Sequence, residues 1–222
     1  MLGSIVRFKK AKLPSKRKLI GKYCFLEPID PRKHAKDLFN NFLKDKKNKI
    51  WTYLPYGPFK NYVNFKKWLK SFCLKKDPFF YAIYSMKYKQ FCGMASYLRI
   101  TPEYGVIEVG HINYSPILQN TTAGTEAMYL MMKNAFEILG NRRYEWKCNT
   151  LNNPSKNAAK RLGFKFEGVF RQMLITKGRN RDNAWFSVID KEWKNLKKSY
   201  VNFLKPSNFD KNYKQFKKLK LY

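Results

Sequence analysis

The sequence predicts an α/β (α+β) fold with one central, mixed and mostly antiparallel sheet of six to seven strands, flanked by helices. Three observations carry this expectation. Short apolar runs bounded by Gly, Pro, Asn and Asp recur along residues 19–195, which is the pattern of strands. Segments with apolar residues at helical spacing lie between them, in the order strand, two helices, three strands, helix, strand, helix and a closing hairpin. A helix lying between two strands makes a right-handed parallel crossover, so a sheet otherwise joined by hairpins must be mixed.

Taken in order, LIGKYCFLEP at 19–28 is the first strand, closed by Pro28 and Asp30-Pro31. Asp30 caps a helix that has Pro31 at its first position and runs to about Phe42, since proline there gives up an N–H that has no partner anyway. WTYLPYGPF at 51–59 is an aromatic loop with two prolines. A second helix, from about Lys60 to Leu74, sets Tyr62, Phe65, Leu69 and Phe72 on one face. PFFYAIYSM and QFCGMASYLRI are two strands across a short Lys-rich turn, and GVIEVGHINYS is a third, stopping at Pro116. The helix over Thr122–Leu139 is apolar on most of its circumference, so it packs against the sheet. RYEWKCN is a strand, and Asn153-Pro154-Ser155 opens a short helix ending at Gly163. FKFEGVFRQMLIT and NAWFSVI form the closing hairpin across residues 177–182.

No repeat or internal linker interrupts this order. The expected organisation is a basic N-terminal extension (1–18), one domain (19–204) and a basic C-terminal tail (205–222). Cys24, Cys73, Cys92 and Cys148 are scattered and only His34 and His111 are present, so no metal site is expected. Separated thiols read as reduced core residues of an intracellular, cytoplasmic protein. No stretch reaches the ~20 apolar residues of a membrane span, and the basic N-terminus has no apolar run of a secretory signal.

The formal net charge is +31. One reading is a phosphate-bearing partner, either RNA or the ribosome, DNA, or an anionic membrane surface. The other is base composition. Of 46 basic residues 36 are Lys and only 10 Arg, and Asn, Ile, Phe and Tyr are also abundant. Those residues have A/T-rich codons, whereas sequence-reading nucleic-acid binders lean on Arg.

Between the strand ending near Tyr114 and the next helix lies INYSPILQNTTAGTEA. Thr121, Thr122, Gly124 and Thr125 start that helix with outward N–H groups, an arrangement that attracts a pyrophosphate and that also occurs as ordinary capping. Downstream, Asn152 and Ser155 precede Arg161-Leu162-Gly163-Phe164. Together the two segments resemble the GNAT acetyltransferases, over about residues 19–195. In that superfamily the loop Q/R-x-x-G-x-G/A cradles the pyrophosphate of coenzyme A. Here Gln119 and Gly124 match it, and Thr122 replaces the central glycine.

The resemblance implies a GNAT fold, acetyl-CoA as co-substrate and no metal. It implies a cofactor site at Asn113, Tyr114, Gln119, Thr121, Thr122, Ala123, Gly124, Thr125 and Asn152, with Asn152 on the pantetheine arm. The tyrosine that many members use as general acid falls on Ala159, and the branch of ribosomal-protein N-terminal acetyltransferases has a serine near the sulfur at the position of Ser155.

Acetyl transfer to an amine requires the amine to be neutral, and amine pKa values of roughly 8 to 10 demand a base. Glu108 lies eleven residues before Gln119, the offset of the glutamate base in histone-acetylating relatives. His111 is the second candidate, and a core histidine or an ion-paired glutamate are the plainer alternatives. Strict alternation sets Glu108, Gly110, Ile112 and Tyr114 on one face and Val109, His111 and Asn113 on the other. Glu108 and His111 then share a substrate only if a bulge intervenes. A backbone N–H near Asn113 or Tyr114 would hold the developing oxyanion, and Ser155 would serve the departing thiolate or only cap its helix. Trp51, Tyr53 and Tyr56 are expected in the acceptor wall, as stacking or ammonium-enclosing rings or as loop packing. The expected activity is N-acetylation of a protein N-terminus or a small amine. The alternative is an idle GNAT-fold module that binds RNA or the ribosome.

Overall fold

In the computed structural model, which describes residues 2–211 and 213–221, eight strands form one sheet. They are β1 (Leu19–Ile20), β2 (Cys24–Pro28), β3 (Phe79–Ser85), β4 (Gln90–Thr101), β5 (Val106–Tyr114), β6 (Arg143–Asn149), β7 (Lys165–Thr176) and β8 (Arg179–Ile189). Their order is β1-β2-β3-β4-β5-β6-β8-β7. Every neighbouring pair is antiparallel except β5 with β6, and the helical crossover lies between those two.

Five α-helices flank the sheet: α1 (Pro31–Phe42), α2 (Tyr62–Phe72), α3 (Thr122–Lys133), α4 (Asn153–Arg161) and α5 (Asp190–Phe203). Asp30 caps α1 by accepting the N–H of Arg32 at 2.8 Å. The last turn of α3 widens into a π turn over Asn134–Ile138. On one face of the sheet, Leu38 and Phe42 of α1 and Phe65 and Leu69 of α2 pack with Phe80, Ala82 and Met94. On the other, Met128 and Met131 of α3 and Tyr200 of α5 pack with Tyr97, Ile107, Val109, Trp146 and Phe186. Each such Leu, Ile, Val, Phe or Met side chain contributes about 1.5–3 kcal/mol. Among the described residues no helix is long and apolar enough to cross a membrane.

Three features depart from the sequence reading, the last being that residues 179–182, expected in the closing turn, begin β8. The expected first strand is two strands, which raises the count to eight. The chain breaks at 21–23 because the Glu126 carboxylate of α3 accepts the N–H groups of Lys22, Tyr23 and Cys24 at 2.9, 2.6 and 2.9 Å. Gly21 is needed there, since a Cβ would lie 2.4 Å from that carboxylate. The second departure is α5, for which the sequence reading assigned no element.

Both ends are attached to the body. Ala11 N–H donates to Pro102 C=O at 3.1 Å and Lys12 N–H to Leu139 C=O at 2.7 Å. Phe209 is buried against Tyr23 and Phe203. Met1, Asn212 and Tyr222, which fall in the expected extension and tail, lie outside the described residues.

Candidate active site

The parallel pair parts. β5 and β6 are in register over residues 106–109 and 143–146. Beyond that, β5 pairs only with β4, and residues 147–149 of β6 pair only with β8. Backbone groups on the two inner edges are thereby left facing a wedge-shaped gap, and such groups need a partner. Asn113 stands at this opening. It is buried, and neither atom of its side-chain amide has a partner in the structure.

A β-bulge sits at the same place. Ser96 is opposite Gly110 and Met94 opposite Asn113, so β5 carries one extra residue. His111 takes the left-handed backbone conformation, φ 49°, which is uncommon for a side-chain-bearing residue. The bulge overturns the strict alternation expected from sequence. Ile112 and Tyr114 return to the α3 side with Ile107 and Val109. His111 instead joins Glu108 on the α1–α2 side, among Tyr56, Phe72 and Phe80.

On that side Glu108 is buried, with its Oε2 2.7 Å from Arg99 Nη1 and 3.0 Å from Lys147 Nζ. Burial pushes its carboxyl up from the usual carboxylate range, against the pull of Lys147 and Arg99. The chain of charges continues through Lys147–Glu145 at 2.8 Å and Arg143–Glu145 at 2.6 Å to Glu167. A second bulge, with φ 47° at Arg99, turns this arginine toward Glu108 while Asp77 holds the N–H groups of Arg99 and Ile100.

The Nδ1 of His111 is 3.0 Å from the Tyr56 hydroxyl. Burial, then the positive charges of Arg99 and Arg181, push the imidazole down to about 4, so it is neutral at physiological pH. Tyr53 and Tyr56 overlie this side. The Tyr53 hydroxyl donates to Leu151 C=O at 2.9 Å, and Arg181 Nη1 donates to Tyr53 C=O at 3.1 Å. Trp51 is deeper, buried against Phe42, Phe59 and Trp68 as part of the core.

The α3 side carries the other candidates. The Thr121 hydroxyl donates to Leu118 C=O at 2.7 Å and accepts Gly124 N–H at 3.0 Å. Thr125 N–H is taken by Thr121 C=O at 3.1 Å. The first-turn N–H groups of Thr122 and Ala123 remain as donors at the positive end of the helix. A Cβ on Gly124 would lie 2.8 Å from Leu118 C=O, so only glycine fits. Thr122, at the expected central glycine, points its hydroxyl to Tyr213 C=O at 3.3 Å. Gln119 donates from its side chain to Tyr114 C=O at 2.9 Å, and the Tyr114 hydroxyl donates to Gly124 C=O at 3.0 Å. Asn152 caps α4 by accepting Ser155 N–H at 3.2 Å. The Ser155 hydroxyl accepts the Trp146 indole N–H at 3.0 Å and lies beside the Cys148 thiol.

The structure thus gathers Glu108, His111, Tyr53 and Tyr56 on one side of the gap, and Ser155, Asn152 and the 119–125 loop on the other. Sequence reasoning missed Arg99, Lys147, Arg181 and Arg161, whose Nη2 donates to Thr125 at 3.2 Å. Lys147 was readable, since it alternates with Glu145 onto the Glu108 face. Arg99 was not, because a bulge decides its direction. An open recess of 570 Å³ between Arg171, Gln172, Asn180 and Asp182 shares no residue with the gap.

Residues 24–165 match the model of the acetyltransferase (GNAT) domain family. The chain is similar to a GCN5-related N-acetyltransferase from Brucella melitensis, at 40% identity and TM-score 0.93 over 96% of each chain. It is also similar to a probable acetyltransferase of the GNAT family from Chromobacterium violaceum. There the identity is 37% and the TM-score 0.80, over 87% of this chain and 96% of that one. A ribosomal L7/L12 alpha-N-protein acetyltransferase in complex with coenzyme A shares the fold, with TM-score 0.64 at 18% identity over 78% and 99% of the two chains. No curated protein sequence matches the chain.

Proposed function

The chain belongs to the GNAT acetyltransferase family and is an acyltransferase, and from that premise we propose that it transfers the acetyl group of acetyl-CoA to an amine in a ternary complex. The parting of β5 and β6 carries this reading, because a linear amide-bearing arm satisfies the strand edges and the orphaned Asn113 amide together. The donor set at the start of α3, with Arg161 beside Thr125, suits a pyrophosphate. When bound, acetyl-CoA supplies an activated thioester.

The chain's own residues supply the rest. Glu108 takes a proton from the acceptor ammonium, directly or through water. A carboxyl raised by burial holds that proton better than an exposed one. His111 stays neutral and orients the amine, with Tyr56 fixing its ring. Tyr53 and Tyr56 wall the acceptor side. In balance, the amine nitrogen bonds to the acetyl carbon, the carbon–sulfur bond breaks, and the amine's proton ends on the released thiol. Ser155 hydrogen-bonds that sulfur: its oxygen accepts from Trp146, and its proton turns from the Cys148 thiol to the departing one. The acceptor is a protein N-terminus or a small amine, and the basic surface suits one held in an anionic setting, such as a ribosomal protein on RNA. The relationships above give the idle-module alternative no support.

The test is thermal unfolding with acetyl-CoA, CoA or ATP. Ligand at 100 times its Kd stabilises by about 2.7 kcal/mol. Both CoA forms should raise Tm well above the ATP control. No shift at saturating acetyl-CoA would refute the reading.

A further inference from the structure

We propose that the acceptor amine carries a carboxylate and that Arg181 binds it, an inference that rests on the amine-acetyltransferase reading above. The charges on the acceptor side are the starting point. Arg99, Lys147 and Arg143 alternate with Glu108, Glu145 and Glu167 in one chain of ion pairs, so these six groups cancel. Arg181 is the excess charge. Its guanidinium is half-buried, and its bonds are to neutral groups, from Nε to Asn183 Oδ1 at 2.7 Å and from Nη1 to Tyr53 C=O at 3.1 Å. Among the described residues no carboxylate is paired with it. Two of its five N–H donors are used within the chain.

A second orphan lies on the same strand face. Trp185 follows Arg181 and Asn183 at alternate positions of β8, is opposite Lys147, and carries a buried indole N–H with no partner. The Lys147 ammonium sits 3.6 Å from the centre of its ring. Arg181 and Trp185 thus both offer unused donors on this face of β8. Arg181 shares its β8 face with Trp185, which is opposite Lys147, the ion-pair partner of Glu108, so it stands on the side of the proposed base.

This side is separate from the α3 side, where Arg161 and the helix start are suited to phosphates. An unpaired guanidinium with a planar donor fork matches a carboxylate, which accepts two parallel N–H bonds. A polyamine, by contrast, would meet the unpaired charge of Arg181. The same carboxylate can come from a free amino acid or from an acidic first residue of a peptide.

The experiment compares matched acceptors with acetyl-CoA, reading KM and kcat separately. One arm sets peptide amides beginning with Asp or Glu against those beginning with Asn or Gln. The other sets free glycine and glutamate against their carboxamides. The carboxylate member should have a KM at least about tenfold lower in one arm, and that arm identifies the source. Arg181→Gln should erase the difference, and Arg181→Lys, which keeps the charge, should restore part of it. Equal KM values within both arms, a preference that survives Arg181→Gln, or no turnover in either arm despite acetyl-CoA binding would overturn the proposal. Failure to bind acetyl-CoA, read by thermal shift on the same preparation, would remove the underlying reading as well.

Discussion

His111 is held by its surroundings in one protonation state. Phe72, Phe80 and Tyr56 enclose the ring, and Arg99 and Arg181 oppose any added charge. Its folded value of about 4 lies below the usual 6.5, so the ring is neutral throughout the range in which an acetyltransferase is assayed. The pH profile of kcat/KM should therefore show no histidine inflection between pH 6 and 8, and should rise with deprotonation of the acceptor. An inflection near 6.5 that His111→Gln abolishes would show instead that His111 titrates in the free enzyme. The same depression makes folding less favourable as pH falls from 6.5 toward 4, because the unfolded chain binds the proton first. Little of this was legible in the sequence, where strict alternation sends His111 to the wrong face. The cause is one inserted residue with φ 49°; Gly110 beside it marks a bulge but does not say which residue is inserted or which way His111 then turns.

The elements are joined by single buried groups whose roles depend on long-range approach. Glu126 of α3 holds three N–H groups of the β1–β2 turn, and no cation is needed there. Glu126→Ala would leave those donors buried, at a cost of about 3 kcal/mol or more, or roughly 6–12 °C in Tm for a chain of this size. Differential scanning calorimetry would measure it, and a loss under 2 °C would show that the turn does not need the carboxylate. Most strands and the helices through α4 were readable because hydrophobic period, Asp30-Pro31 and the hairpin turns are local signals. α5 was readable too, in Asp190 and Glu192 at its start and Trp193, Leu196, Tyr200 and Phe203 at helical spacing, although its lysines obscure the pattern. The break at 21–23 was not, since its cause lies 102 to 104 residues away in sequence.

Across the molecule, charge and catalysis are linked. Glu27, Glu108, Glu126 and Glu145 are buried, three of them in ion pairs with basic neighbours, and the chain as a whole keeps a formal net charge of +31. That field draws anionic acceptors and is screened by salt. The family was legible from the 119–124 loop and from Asn152 and Gly163, while the charged groups around Glu108 required the fold to bring β4, β6 and β8 together. The most direct measurement is release of free thiol from acetyl-CoA on addition of an amine acceptor, followed by mass spectrometry of that acceptor. Thiol release should depend on the amine, the acceptor should gain one acetyl group, and Glu108→Gln should slow the reaction by about 10²- to 10⁴-fold. Thiol release that ignores the amine, or an acceptor left unmodified while acetyl-CoA is bound, would contradict the account.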